Sequence, residues 1–114
     1  MQARWLIIPA LGLVIFGASH TASTTQAPAA EQLAEKTGCL KCHSVDKKVI
    51  GPAYRDVAAR YKNKADARAE LIKIVRDGGK GHWTEITGGV PMPPHSAKLS
   101  TAEIETLVDW VLSH

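Results

Sequence analysis

From residue 53 onward, apolar side chains recur every three or four positions, and no stretch alternates with the two-residue period of a strand. That spacing predicts a helix over about 53–62, with Tyr54, Val57, Ala58 and Tyr61 on its buried face. A third helix follows, capped by Asp66, with Leu71, Ile74 and Val75 turned inward and Gly78-Gly79 as its stop. The last opens on a capping box, Ser100 to Glu103, and puts Ile104, Leu107, Val108 and Val111 on one face with Trp110 beside them. Upstream, Glu31 to Thr37 predicts a short first helix with Leu33 and Ala34 inward, ending at Gly38. Between Gly78 and Leu99 glycine and proline displace any periodic pattern, which predicts one long loop, and loops of that length in a compact domain usually carry function. The expected fold class is all-α, about four short helices.

Residues 1–22 have a different pattern. One positive charge lies in Met1 to Arg4, an apolar run extends from Trp5 to Gly17, and small residues follow at Ala18, Ser19 and Ala22, the layout of a secretory signal. The run is shorter than the roughly 20 residues a membrane-spanning helix needs, and Pro9, Gly12 and Gly17 interrupt it. Cleavage, after Ser19, Ala22 or Ala30, is therefore favoured over a retained anchor, and the expected destination is the periplasm. Residues 23–30 read as a flexible segment of small and polar residues, and 31–114 as the folded domain.

Charge removes one function class. The chain has fourteen Lys and Arg, thirteen without Arg4, against eleven Asp and Glu. A surplus of two, thinly spread, is not the dense basic face that nucleic acid requires. A domain this small usually needs a staple, and the only two cysteines are too close in sequence to join distant parts of the chain. A cofactor is the remaining candidate.

The cysteines lie in Cys39-Leu40-Lys41-Cys42-His43, the attachment pattern for haem c. Two thiols one turn apart can add across the two vinyl groups of a haem, and the next histidine is then tethered beneath the iron. A thioredoxin-type redox pair would need a surrounding βαβ pattern, which is missing, and a structural zinc site would need a fourth ligand. The opposite iron face needs its own ligand. Met92 is the only methionine after the leader, in Val90-Pro91-Met92-Pro93-Pro94, where prolines on both sides stiffen the backbone around a thioether. His82, His95 and His114 are the rivals, and a sixth position without a protein ligand would allow peroxide or gas chemistry.

Taken together, Gly38 to His43, Gly51-Pro52-Ala53-Tyr54, Asp56 to Ala59, Gly81, Trp83, Pro91 to Pro94 and Asp109 to Ser113 resemble the small bacterial class I cytochromes c, particularly those that donate electrons to haem-containing nitrite reductases and terminal oxidases. The resemblance spans nearly all of Glu31 to His114. It implies that Gly38 and Trp110 meet where the first and last helices cross, that the Pro52 carbonyl accepts the His43 ring N–H, and that Trp83 binds a haem propionate. Four departures stand out. The stretch between Trp83 and Pro91 is longer than usual, and His95 replaces an asparagine that bonds the methionine sulfur. Ile74 replaces a propionate-binding arginine, leaving Lys73 or Arg76 as substitutes, while Ala34 replaces an aromatic, which predicts a looser helix crossing.

The function expected from these readings is one-electron transfer by a monomer through an exposed haem edge, not enzymic turnover. Candidate partners are a nitrite reductase, a cytochrome oxidase or a cytochrome bc complex, met briefly through a small patch, apolar at its centre and ringed by charge. Lys41, Lys47, Lys48 and Lys80 are candidates for that ring, against the plainer reading of each as a solvated surface charge. A fixed electron-entry subunit of a larger complex and a small peroxidase-like protein are the alternatives.

Overall fold

A computed structural model of the chain describes residues 26–114 together with Gly12 and Gly17, so the expected leader otherwise lies outside the described residues. Five α-helices follow in order: α1 Gln26–Lys36, α2 Tyr54–Tyr61, α3 Ala67–Asp77, α4 Thr84–Thr87 and α5 Thr101–Leu112, with a 3-10 turn at Cys39–Lys41. Among the described residues there is no strand, only two isolated antiparallel bridges, His43 with Lys48 and Gly79 with Met92. The all-α expectation holds.

α5 is the central element, and α1, α2 and α3 all pack on it. Its start is set locally. Ser100 Oγ accepts from the Glu103 N–H at 3.2 Å while Glu103 Oε2 accepts from the Ser100 N–H at 2.8 Å, closing the capping box. Ile104, Leu107, Val108 and Trp110 are buried, and removing each of the first three from water contributes roughly 1.5–3 kcal/mol. On α2 the buried residues are Tyr54, Val57, Ala58 and Tyr61, the predicted set. Arg68 of α3 reaches Asp109 of α5 at 2.7 Å, a surface pair of small energetic weight.

Several expectations need correction. α1 begins at Gln26, so residues 26–30 are helical and not a flexible segment. The reason is tertiary: Ala30 is buried in the core together with Ala34. Asp66 stands at the N-cap of α3 but makes no side-chain capping bond. Part of the long loop is helical too, since α4 lies within it. Ile74, read as inward, is half-buried and borders a cavity instead of the α5 core.

At the crossing of α1 and α5, a Cβ placed on Gly38 would meet only side-chain carbons of Lys41, 3.8 and 3.9 Å away, with no Trp110 atom within 4 Å of that position. Glycine is needed there because φ is +84°, the left-handed turn that ends α1 and starts the 3-10 turn. Trp110 packs edge-on to Tyr54, ring centroids 5.4 Å apart. Ala34 is completely covered. What looseness exists is a groove of about 240 Å³ at the other end of α1, between Ala27 and Ala30 and Thr106 and Trp110 of α5.

Ser100→Ala should lower stability by about 1 kcal/mol, through loss of the reciprocal cap. Asp66→Ala, which breaks no capping bond, should cost less. Urea denaturation of the two haem-loaded variants beside the parent protein compares them.

Candidate functional site

The Cys39–Lys41 turn is wound tightly, with the Cys42 N–H bonded to the Cys39 carbonyl at 3.2 Å and the His43 N–H to the same oxygen at 3.0 Å. In a 3-10 turn, side chains three apart eclipse, so the two thiols face the same way. Both cysteines are free and half-buried. Thr37 commits its hydroxyl proton to the Leu33 carbonyl at 2.7 Å. The Cys39 thiol is therefore the donor in its 3.4 Å contact with Thr37 Oγ1. The chain then folds back, as the N–H groups of Ile50 and Gly51 both bond to the Cys42 carbonyl, at 3.1 and 2.7 Å.

That return places Pro52 against His43. The imidazole Nδ1 lies 2.8 Å from the Pro52 carbonyl and donates to it, since a carbonyl can only accept. The neutral ring is then the tautomer with a lone pair on Nε2, the nitrogen available to a metal. Burial holds the His43 pKa below its usual value despite the opposing pull of the Pro52 bond. Tyr54 stacks on the ring, centroids 5.0 Å apart and planes 19° apart. On another side there is no room for a methyl group: a Cβ on Gly51 would sit 2.5 Å from His43 Cε1.

Met92 is fixed by backbone. Gly79 and Met92 exchange two hydrogen bonds, of 2.9 and 2.8 Å, closing the neck of the long loop. Gly78 lies directly beneath, with φ +73° and ψ −171°, a conformation essentially restricted to glycine. A Cβ there would sit 2.5 Å from the Met92 carbonyl oxygen. Met92, Pro52, Ile74, Trp83 and Val90 border one apolar cavity, with Lys80 at its wall. Pro52 thus joins the two halves of the site, holding His43 through its carbonyl and lining the cavity that Met92 borders.

The rival histidines are placed differently. His82 is exposed, with Nε2 2.8 Å from Glu70, and His114 packs edge-on against Trp110. His95 is half-buried, and its Nδ1 is buried without a hydrogen-bond partner. Burial lowers its pKa. Neither proposed substitute for the missing arginine borders the cavity: Lys73 is exposed, and Arg76 turns to Asp77 at 2.9 Å. Lys41, Lys47, Lys48 and Lys80 are all exposed, and none forms an ion pair among the described residues. The exposed large apolar residues are Val49 and Ile50, directly after Lys48, and Val90 in the long loop, each about half accessible.

Sequence reasoning had not singled out the contacts of Gly51, Gly78 and Tyr54. The signals are a Gly-Pro pair, read only as part of the family resemblance, and a double glycine, read as a helix stop.

Two free thiols on one turn, a neutral imidazole with a committed Nδ1, and a thioether beside an apolar cavity are a donor set that fits a covalently bound haem. The comparisons agree. Residues 27–114 match the family model described as Cytochrome c. The chain is 49% identical over 80 residues to cytochrome c-551 of Allochromatium vinosum, covering 70% of this chain and 80% of that protein. It is 40% identical over 98 residues to cytochrome c-552 of Nitrosomonas europaea, covering 86% and 90%. The crystal structure of wild-type Nitrosomonas europaea cytochrome c552 superposes with a TM-score of 0.65 at 41% identity, over 73% of this chain and 96% of that one. The class 1 cytochrome MtoD from Sideroxydans lithotrophicus ES-1 does so with a TM-score of 0.63 at 40% identity, over 75% and 92%.

The chain belongs to the cytochrome c family. It is a small monohaem class I cytochrome c, an electron carrier and not an enzyme, and its two cysteines match one covalently bound haem c.

Gly78→Ala should destabilise the protein by about 3 kcal/mol, because it combines a backbone conformation closed to alanine with a clash at the Met92 carbonyl. Denaturant unfolding measures the loss, and a wild-type midpoint would show that the neck of the loop can relax.

Proposed function

We propose that this protein is a periplasmic one-electron carrier whose haem is bonded to Cys39 and Cys42 and whose iron is ligated by His43 and Met92. The observation that carries this reading is the His43 Nδ1 to Pro52 bond of 2.8 Å, which leaves Nε2 as the free nitrogen of a ring already tethered next to Cys42. Met92 supports it from the other half of the site, with its backbone clamped by Gly79 and its sequence position framed by proline. Export is supported by the leader-like residues 1–22. Among the described residues, no helix is long and apolar enough to cross a membrane.

The haem supplies an iron that cycles between ferrous and ferric states. The chain's part is to hold everything else still. Pro52 fixes the imidazole tautomer and raises its donor strength, while Tyr54 and Gly51 leave the ring little freedom to turn. Met92 contributes a weak, neutral sulfur donor, which favours the reduced state and a high potential. Trp83, which borders the cavity, would donate its indole N–H to a propionate. Val49, Ile50 and Val90 provide an apolar docking patch, and the unpaired Lys41, Lys47, Lys48 and Lys80 steer an acidic partner onto it. A patch of this kind suits brief encounters, in which electrons pass from respiratory donors to a terminal reductase or oxidase. The protein acts as a monomer.

Mass spectrometry of the exported protein should give the mature polypeptide plus one haem, with thiols inert to alkylation. A mass equal to the bare chain would remove the reading. Met92→Ala should keep the haem attached, abolish the sulfur-to-iron charge-transfer absorption and lower the potential. A parent spectrum without that absorption, left unchanged by the substitution, would transfer the sixth position to a histidine, with His95, whose buried Nδ1 has no partner, as the first candidate. Association with an acidic redox partner should slow as ionic strength rises, and rates indifferent to salt would remove the lysines from the docking account.

A further inference from the structure

The stretch after Trp83 is tied down at several points. Trp83 starts α4, with its carbonyl accepting from the N–H groups of Ile86 and Thr87 at 2.9 Å each, and it borders the same cavity as Met92. Arg60, near the end of α2, lies over the indole with its guanidinium carbon 3.6 Å from the ring centroid. The same guanidinium bonds Glu85 Oε1 at 2.7 Å through Nη2, and the His82 carbonyl through Nη1. All three attachments fall on residues 82–85. A second fastening comes from α3, where Glu70 accepts from the Tyr61 hydroxyl at 3.0 Å and meets His82 Nε2 at 2.8 Å.

This use of one side chain depends on its shape. A guanidinium is flat and delocalised, so its face can stack on an indole while its edge donates two hydrogen bonds elsewhere. An ammonium is a compact centre with no face to stack, so it cannot reproduce the flat contact on the indole together with the two separate edge bonds. Glu85 records the contact from its own side, with its carboxyl held below the usual range by the Arg60 hydrogen bond.

We propose that Arg60 is a positioning residue for the redox centre, holding the Trp83 indole against the cofactor cavity with its cation on the ring and its edge on Glu85 and the His82 carbonyl. The inference rests on reading that cavity as the haem site. With Arg60 in place, the indole is a fixed wall with its N–H presented in one direction. Without it, residues 82–85 lose their attachment to α2, and water gains entry to the cavity that Met92 borders. Water and a lost positive charge both favour the ferric state, so the potential falls.

The test uses the haem-loaded protein and three variants, Arg60→Gln, Arg60→Lys and Glu85→Gln. Two quantities are measured: the midpoint potential and the solvent exchange of the Trp83 indole N–H by NMR. In Arg60→Gln the exchange should quicken by about tenfold or more and the potential should fall, with haem content and the sulfur-to-iron absorption unchanged. Arg60→Lys keeps the charge but should not restore slow exchange. Glu85→Gln should move the exchange in the same direction by less, and it carries the test if Arg60→Gln does not fold. Wild-type exchange in the folded variants, or full restoration by lysine, would overturn the proposal. Mass measured on each sample separates the two ideas, because a wild type without haem sinks the site, whereas a haem-loaded Arg60→Gln with unchanged readouts sinks only the role of Arg60.

Discussion

The hydrogen bond from His43 to the Pro52 carbonyl is the constraint on which the rest of the molecule depends. Its donor belongs to a motif wound immediately after α1, and its acceptor stands just before α2, so one contact sets both an imidazole tautomer and the entry of the next helix. A proline suits that position because it fixes φ and contributes only a carbonyl. Around it the chain leaves no slack: Gly51 lies too close to the ring to carry a side chain, and Tyr54 covers the ring face. Burial then keeps the imidazole neutral, the state in which a metal can use it.

The second half of the site is built by other means. No helix or strand carries Met92, so the chain pins its backbone with an isolated bridge to Gly79 and packs Gly78 beneath its carbonyl. The two halves share little sequence and meet through Pro52 and the cavity it lines. Behind them α5 acts as a common post for α1, α2 and α3, which relates the motif after α1 to the loop after α3. A cytochrome c gains from such division, since the helices supply rigidity while the loops supply ligands and an exposed face. Val49, Ile50 and Val90 are each about half exposed, and Lys41, Lys47, Lys48 and Lys80 form no ion pair among the described residues.

Much of this was legible in the chain before any coordinates. The buried set of α2 and the capping box of α5 were read correctly because both are local: periodicity and a four-residue cap act within one or two turns. The candidate donor set stands out for a similar reason, as Cys39, Cys42 and His43 are marked by their spacing and Met92 by its prolines. Two of the errors share one origin. Residues 26–30 have no amphipathic pattern strong enough to signal a helix, yet they form one because Ala30 finds the core. Ile74 has the right spacing, but the direction it faces is a cavity and not α5.

Much of the local order, then, was settled by the amino-acid sequence alone: the buried face of α2, where α5 begins, and which residues are candidates to hold a haem. Only the tertiary structure decided that Gly51 must be small for His43, that Gly78 must be small for Met92, and that Arg60 should reach across to Trp83. The physical reason is range. Hydrogen bonds within a turn and the period of a helix are encoded between near neighbours, whereas close approach between residues eight or more positions apart exists only once packing has chosen which faces meet.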